Sequence, residues 1–219
     1  MTLFDKEATT YDSWYQTPLG NYVFEKESNL LLEMIGNVNH KSILDVGCAT
    51  GIHTVLVSNE TNSVIGIDLS EAMILEAKKK EKDNLQFLQM DALHLEFEDN
   101  QFDIIFSATM IEFVTNRQAL ITELLRVLKP GGLFVLGTIQ KDSHFYALYQ
   151  TRFFQTNTVF KYANFMSLAD CINLAPTLYI NAKDCLYHKI EDIEANPKVQ
   201  DQKQNKVGSF LVSTFRKDE

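Results

Sequence analysis

The chain has 219 residues, 45% of them hydrophobic and 22% charged, and its 20 Lys and Arg against 29 Asp and Glu give a formal charge of −9. At roughly 100–200 residues per domain this reads as one domain, residues 1–219, with a core of its own, and the composition excludes a disordered or collagen-like chain. The acidic balance argues against nucleic acid or anionic lipid as a bulk partner. No run approaches the ~18–20 apolar residues of a membrane span, and Met1 to Tyr15 mixes Asp, Lys and Glu where a secretory leader would be apolar. The expected compartment is the cytoplasm and the expected assembly a monomer or homodimer.

Val23 to Val38 reads as a helix, with Phe24, Leu30, Leu31, Met34 and Ile35 apolar. Five β-rich runs follow, alternating with helix-period segments: Ser42 to Val46, Ser63 to Ile67, Leu85 to Met90, Phe102 to Ser107 and Leu133 to Thr138. Near-continuous apolar runs of this kind suit parallel strands covered on both faces. Ser70 can cap a helix running through Met73, Ile74 and Ala77, and the basic run Lys78 to Lys82 reads as its solvated end. Leu120, Ile121, Leu124, Leu125 and Leu128 mark an amphipathic helix that Lys129-Pro130-Gly131-Gly132 stops. Ser143 to Ala175 is aromatic-rich and reads as helical. Thr177 to Tyr187 and Val207 to Phe215 read as strands, with Lys189 to Lys206 an exposed loop between them. Alternating βα units imply an α/β, doubly wound, mostly parallel sheet with helices on both faces.

Cys48, Cys171 and Cys185 are odd in number and widely spaced, which suits buried thiols better than a disulfide framework. The five histidines include no pair at helical ligand spacing, so no metal is implied.

Ligands of open α/β sheets sit beyond the carboxyl ends of the strands, and the first strand-to-helix turn is the usual place. Here it is Asp45-Val46-Gly47-Cys48-Ala49-Thr50-Gly51. Ala49 and Ile52 break a GxGxxG fingerprint, and no Lys follows Gly51 as a phosphate-binding loop would need. With neither phosphate motif present, Asp45 suggests a ligand with a cationic group. Asp68, 21 residues after Gly47 at the tip of the second strand, suits the two hydroxyls of a ribose, and Asp91 at the tip of the third suits an adenine amino group. Each acid alone reads better as a turn or cap residue; three at successive strand ends read as a nucleoside site.

The segments ILDVGCATG (Ile43 to Gly51), VIGIDLS (Val64 to Ser70), QMDALHLEFEDNQFDIIFS (Gln89 to Ser107) and RVLKPGGLFVLG (Arg126 to Gly137) occur in order across residues 42–138. This constellation resembles the class I S-adenosylmethionine-dependent methyltransferases. The flanks ATTYDSWYQTPLG and GSFLVSTFRK are similar to those of the ubiquinone/menaquinone-biosynthesis branch. The resemblance implies a Rossmann-like, seven-stranded, mostly parallel sheet with an antiparallel last strand, and S-adenosyl-L-methionine as cofactor. It implies an N-terminal lid and helix (1–41), a cofactor core (42–138) and a substrate-side elaboration (139–219). It places Gly47, Cys48, Ala49 and Gly51 against the methionine part with Asp45 near its amino group, Asp68 on the ribose, Leu69 and Met73 along the nucleoside, and Asp91 with Ala92 at the adenine. Ser107 to Met110 would pass the methionine part towards the acceptor, and Tyr11 is a cofactor cover or a packing aromatic. Ala49 stands where the family usually has glycine, a departure that matters if residue 49 needs a positive φ.

Methyl transfer from a sulfonium is an in-line displacement in which alignment and water exclusion do most of the work. A base is needed only for an acceptor that enters protonated. His144, Tyr146, Tyr149 and Arg152, spaced along one helical side, are the candidates for lining an acceptor pocket. The function implied is methyl transfer to a small or medium-sized molecule. A non-catalytic cofactor-binding or partner protein is the alternative, and an NAD-dependent oxidoreductase a third reading disfavoured by the failed fingerprint.

Overall fold

In the computed structural model, which describes residues 2–203 and 207–219, the chain opens with a short helix α1 (Tyr11–Trp14) and a long one, α2 (Pro18–Ile35). α2 starts a turn and a half before the apolar pattern does. Thr17 caps it by accepting the Gly20 N–H at 3.0 Å, and Pro18 sits at the first helical position, where no N–H is needed.

The βα units follow in order: β1 (Ser42–Val46), α3 (Ile52–Val57), β2 (Ser63–Asp68), α4 (Glu71–Ala77), β3 (Leu85–Gln89), β4 (Phe102–Ala108), α5 (Arg117–Val127) and β5 (Leu128–Ile139). α4 begins at the Ser70 cap, whose hydroxyl accepts the Met73 N–H. The Lys-Pro-Gly-Gly segment does end α5. β5 nevertheless begins at Leu128 rather than Leu133, because Leu128 pairs with Phe102 and the ladder absorbs the glycines as a register shift.

The expected helical stretch after β5 is broken. It forms α6 (His144–Tyr149), α7 (Arg152–Asn157), a 3-10 turn at Val159–Tyr162 and α8 (Leu168–Leu174). Ser143, Thr151, Thr158 and Ser167 each take an extended conformation before a restart. Hydroxyl residues favour helix starts over helix interiors for this reason. β6 (Tyr179–Cys185), α9 (Ile190–Ala195) and β7 (Phe210–Arg216) complete the chain. The segment read as an exposed loop therefore carries a helix, anchored by the fully buried Ile193 against α2. Residues 204–206 of that loop lie outside the described residues.

The seven strands form one sheet in the order β3-β2-β1-β4-β5-β7-β6, parallel except for β7, which runs antiparallel to both neighbours. The order reverses between β1 and β4, so a crevice opens beyond their carboxyl ends. One face of the sheet packs α2 and α6 around Phe87, Phe106 and Phe210; the other packs α5 and α8 around Phe102, Phe134 and Phe215. All three cysteines are buried thiols. No helix among the described residues is long and apolar enough to cross a membrane.

Candidate active site

The turn after β1 is built by alternating backbone handedness. Gly47, Ala49 and Gly51 have φ of 75°, 47° and 79°. The N–H groups of Gly47 and Cys48 both donate to the Ile67 carbonyl, at 2.8 and 2.9 Å, which ties this turn to β2. A Cβ on Gly47 would stand 2.3 Å from Met110 Cγ, and one on Gly51 would stand 2.5 Å from the Phe87 ring. Glycine is required at both places on two counts, space and φ. Ala49 is the exception, since its left-handed conformation is one that an L side chain adopts at a cost.

Asp68 stitches the two turns together. Its Oδ2 accepts the Ala49 N–H at 2.9 Å, and its Oδ1 accepts the Ser70 N–H at 2.8 Å. Burial pushes its carboxyl above the usual carboxylate range in spite of those donors. Beside it lies a cavity of about 400 Å³, of a size for a small-molecule cofactor. Six residues expected at the cofactor reach its wall: Gly47, Asp68, Leu69, Asp91, Ala92 and Met110. Met90, Leu93, Phe113 and Val114 give it apolar sides suited to a flat ring, while Asp68 and Asp91 supply acceptors for hydroxyl and amino groups. The residues present thus fit a nucleoside.

Other expected residues sit behind this wall. Met73 is buried beneath α4 with its side chain in the core, so it does not run along the nucleoside cavity. Ser107 turns its hydroxyl into the sheet, donating to the Val46 carbonyl at 2.7 Å. Cys48 is buried against Gly66. Asp45 is also buried and accepts the Thr54 hydroxyl at 2.6 Å; burial pushes its carboxyl up to about 7, the Thr54 donor opposing and the Asp68 charge assisting. At the end of β4, Thr109 takes φ 52°, a costly conformation for a β-branched residue, and donates its N–H to the Gly137 carbonyl.

The N-terminal segment covers the crevice. Asp5 accepts the Ser70 hydroxyl at 2.6 Å, and Phe4 packs edge-on against Phe113. Asp12 accepts the Thr50 hydroxyl at 2.5 Å through one oxygen and Lys80 Nζ at 2.7 Å through the other; Lys80 also donates to the Thr50 carbonyl. Lys80, read from sequence as part of a solvated basic end, instead clamps this cover to the glycine turn.

A family model for a methyltransferase domain matches residues 44–136. The chain is 39% identical to a demethylmenaquinone methyltransferase of Staphylococcus saprophyticus over 120 residues, which are 51% of this chain and 52% of that one, so it spans about half the length of this relative. It is 29% identical to an uncharacterized protein of Methanocaldococcus jannaschii across 99% of this chain and 100% of that protein. Among solved structures, a SAM-dependent methyltransferase of Thermotoga maritima, named as a possible histamine N-methyltransferase, shares the fold with a TM-score of 0.80 over 99% of both chains at 20% identity. Residues 44–136 thus carry a methyltransferase-domain match, within a fold shared with a solved SAM-dependent methyltransferase.

The chain carries a second constellation on the side of its sheet where α2 and α6 pack. Tyr11, Tyr15 and Tyr149 are half-buried, and burial pushes all three hydroxyls upward. The Tyr149 ring stacks on Phe160 at 3.9 Å and on Phe165 at 5.7 Å between centroids. Glu27 of α2 is buried, and burial followed by the Glu112 charge pushes its carboxyl up to about 8. Glu112 follows β4 in a 3-10 turn and is 1% exposed. Its Oε1 accepts the Thr138 hydroxyl at 2.6 Å and the Ile139 N–H at 2.7 Å; its Oε2 is buried with no partner among the described residues. Burial holds His53, which packs on Phe24, down to about 4.

Of the four acceptor-side candidates, Tyr149 is the one placed in this group. Tyr146 packs edge-on against Phe165, and His144 opens α6. Arg152 is exposed and begins a different helix, so the single helical side that was to join it to Tyr149 does not exist. Glu27, Glu112, Tyr15 and His53 were not among the expected site residues. Glu27 did leave a signal, an acid between Val23 and Leu30 or Leu31 on the apolar face of α2.

Proposed function

We propose that the chain transfers the methyl group of S-adenosylmethionine to a small or medium-sized molecule by in-line displacement. In this reading residues 1–219 act as one domain: 1–41 cover the site, 42–138 hold the cofactor, and 139–219 enclose the acceptor. The observation that carries it is the nucleoside-sized cavity edged by Asp68 and Asp91, with buried acids on the other side of the Tyr11 hydroxyl, which feels both Glu27 and Asp68. Asp68 would hold the ribose, Asp91 with Ala92 the adenine, Leu69 one face of the nucleoside, and the turn Gly47 to Gly51 the methionine part, with Asp45 behind it.

When bound, S-adenosylmethionine supplies an already activated methyl group. The protein's share is alignment and exclusion of water, worth up to roughly 7–11 kcal/mol in favourable cases. The Asp12–Lys80 clamp serves the second by closing the N-terminal cover over the turn. The non-catalytic alternative rested on Ala49 and on the lack of a base; the turn forms with Ala49 in place, and Glu27 and Glu112 bring ionisable groups to the acceptor side. Transfer of labelled methyl from the cofactor across a panel of small acceptors tests the reading. Cofactor binding without transfer to any member would favour the binding-protein alternative.

A further inference from the structure

Glu27 and Glu112 enter one apolar cluster from two directions. Glu27 projects from the buried face of α2, beside Val23, Leu30 and Leu31. Those residues pack with Ile139, Phe165 and Tyr149, and the Ile139 N–H is the group that fixes Glu112 Oε1. Glu112 Oε2 is left buried without a donor, and Glu27 has no hydrogen-bond or ion-pair partner among the described residues. Arg117, whose charge Glu112 feels, uses its guanidinium on the Ile111 and Asn164 carbonyls.

Two carboxyl groups buried in one cluster with no cation bonded to either are costly, because each ionised form loses water and repels the other. A ligand that brings positive charge or N–H donors removes the cost. The same cluster holds the stacked rings of Tyr149, Phe160 and Phe165, and an aromatic face attracts a cation. The cluster adjoins the cofactor side: Glu112 stands two residues beyond Met110, and the Tyr11 hydroxyl senses both Glu27 and Asp68. We propose that Glu27 and Glu112 are the acceptor-recognition pair and that the acceptor is a small amine whose nitrogen they grip. This rests on the methyltransferase reading and names its substrate class.

Glu27 also suits the proton that an ammonium must lose before its nitrogen can act as a nucleophile. An N–H bond breaks with its pair left on nitrogen, and an O–H bond forms on Glu27. In its ionised form, reached when the ammonium charge arrives, its carboxylate is a stronger base than an exposed one because burial favours the proton.

The test is calorimetry on the full chain saturated with S-adenosylhomocysteine. Primary amines from butylamine through 2-phenylethylamine to tryptamine are titrated, with 2-phenylethanol and phenylacetate as matched controls. An amine of the series should bind at least about 10-fold tighter than its alcohol or acid counterpart. Glu27→Gln and Glu112→Gln, which keep size and shape, should each weaken that amine about 10- to 100-fold while leaving S-adenosylhomocysteine affinity unchanged. An alcohol bound as well as its amine, no amine bound by the loaded protein, or a double Gln variant with wild-type amine affinity would each overturn the proposal. Failure of S-adenosylhomocysteine to bind the wild-type chain would strike the methyltransferase reading itself, which the two Gln variants do not touch.

Discussion

Asp68 Oδ2 accepts the Ala49 N–H at 2.9 Å, so the acid proposed for the ribose also holds the glycine turn in place. Asp68→Ala removes this bond, the one to Ser70, and the partner of the hydroxyls together. Cofactor affinity should fall by about 1–3 kcal/mol. Asp68→Asn keeps one acceptor oxygen and should fall between the alanine variant and the parent. Titration with S-adenosylhomocysteine measures both; an Asp68→Ala variant that binds like the parent would place the ribose elsewhere.

Ala49 invites the opposite kind of experiment. At φ 47° it occupies left-handed backbone, where an L residue costs roughly 1–2 kcal/mol. Glycine removes that strain but loses roughly 0.4–1 kcal/mol through the greater freedom of the unfolded chain. Ala49→Gly should therefore be neutral or stabilising by up to roughly 1.5 kcal/mol, a rise in Tm of at most about 6 °C for a chain of this size. Ala49→Val, β-branched in the same conformation, should lower Tm. A fall in Tm for Ala49→Gly would mean that the alanine methyl packs usefully enough to outweigh the strain.

The sheet was legible because buried parallel strands announce themselves twice, as apolar runs and as the turn chemistry that ends them. Ser42–Val46 matched to the residue because Lys41 and Gly47 bracket it. The joint placement of Gly47, Asp68 and Asp91 on one cavity wall was legible for the same reason: all three fall at strand ends, where position in sequence fixes position in space. The proposed acceptor side draws on α2, the turn after β4 and α6, and no local pattern brings Glu27 and Glu112 into electrostatic reach of each other. Met73 and Ser107 show the converse. Both lie three positions from a wall residue, but α4 turns Met73 into the core and the pleat of β4 turns Ser107 towards Val46.

Ligand binding to the folded chain alone stabilises it by mass action. At about 100 times its dissociation constant, S-adenosylhomocysteine should add roughly 2.7 kcal/mol. At about 2–4 °C per kcal/mol for this length, Tm should rise by about 5–11 °C. NAD should give no such rise, since the turn lacks the residues that seat a pyrophosphate. A thermal melt with each ligand decides between them, and an equal rise with NAD would reopen the oxidoreductase reading.

The buried acids set how stability varies with pH. Glu27 moves from an ordinary 4.5 to about 8 on folding, and Asp45 from 3.8 to about 7. Both therefore hold protons in the folded chain that they release in the unfolded one. Their contribution is fully present below about pH 4 and is lost as pH rises through 7 and 8. His53 has the other sign: held down to about 4 from 6.5, it is neutral when folded, and stability falls as pH drops below 6.5. Carboxyls held low by their partners, such as Asp103 beside Lys129, matter only in acid. Between pH 6.5 and 8 the histidine is silent and the raised acids alone govern, so Tm of the ligand-free chain should fall across that interval. The slope is at most about 1.4 kcal/mol per pH unit for each proton retained. Glu27→Gln should reduce it by the share of one proton and leave the Asp45 part. A melting temperature that stays level or rises from pH 6.5 to 8 would show that these carboxyls are ionised in the fold, with a cation or water already satisfying them.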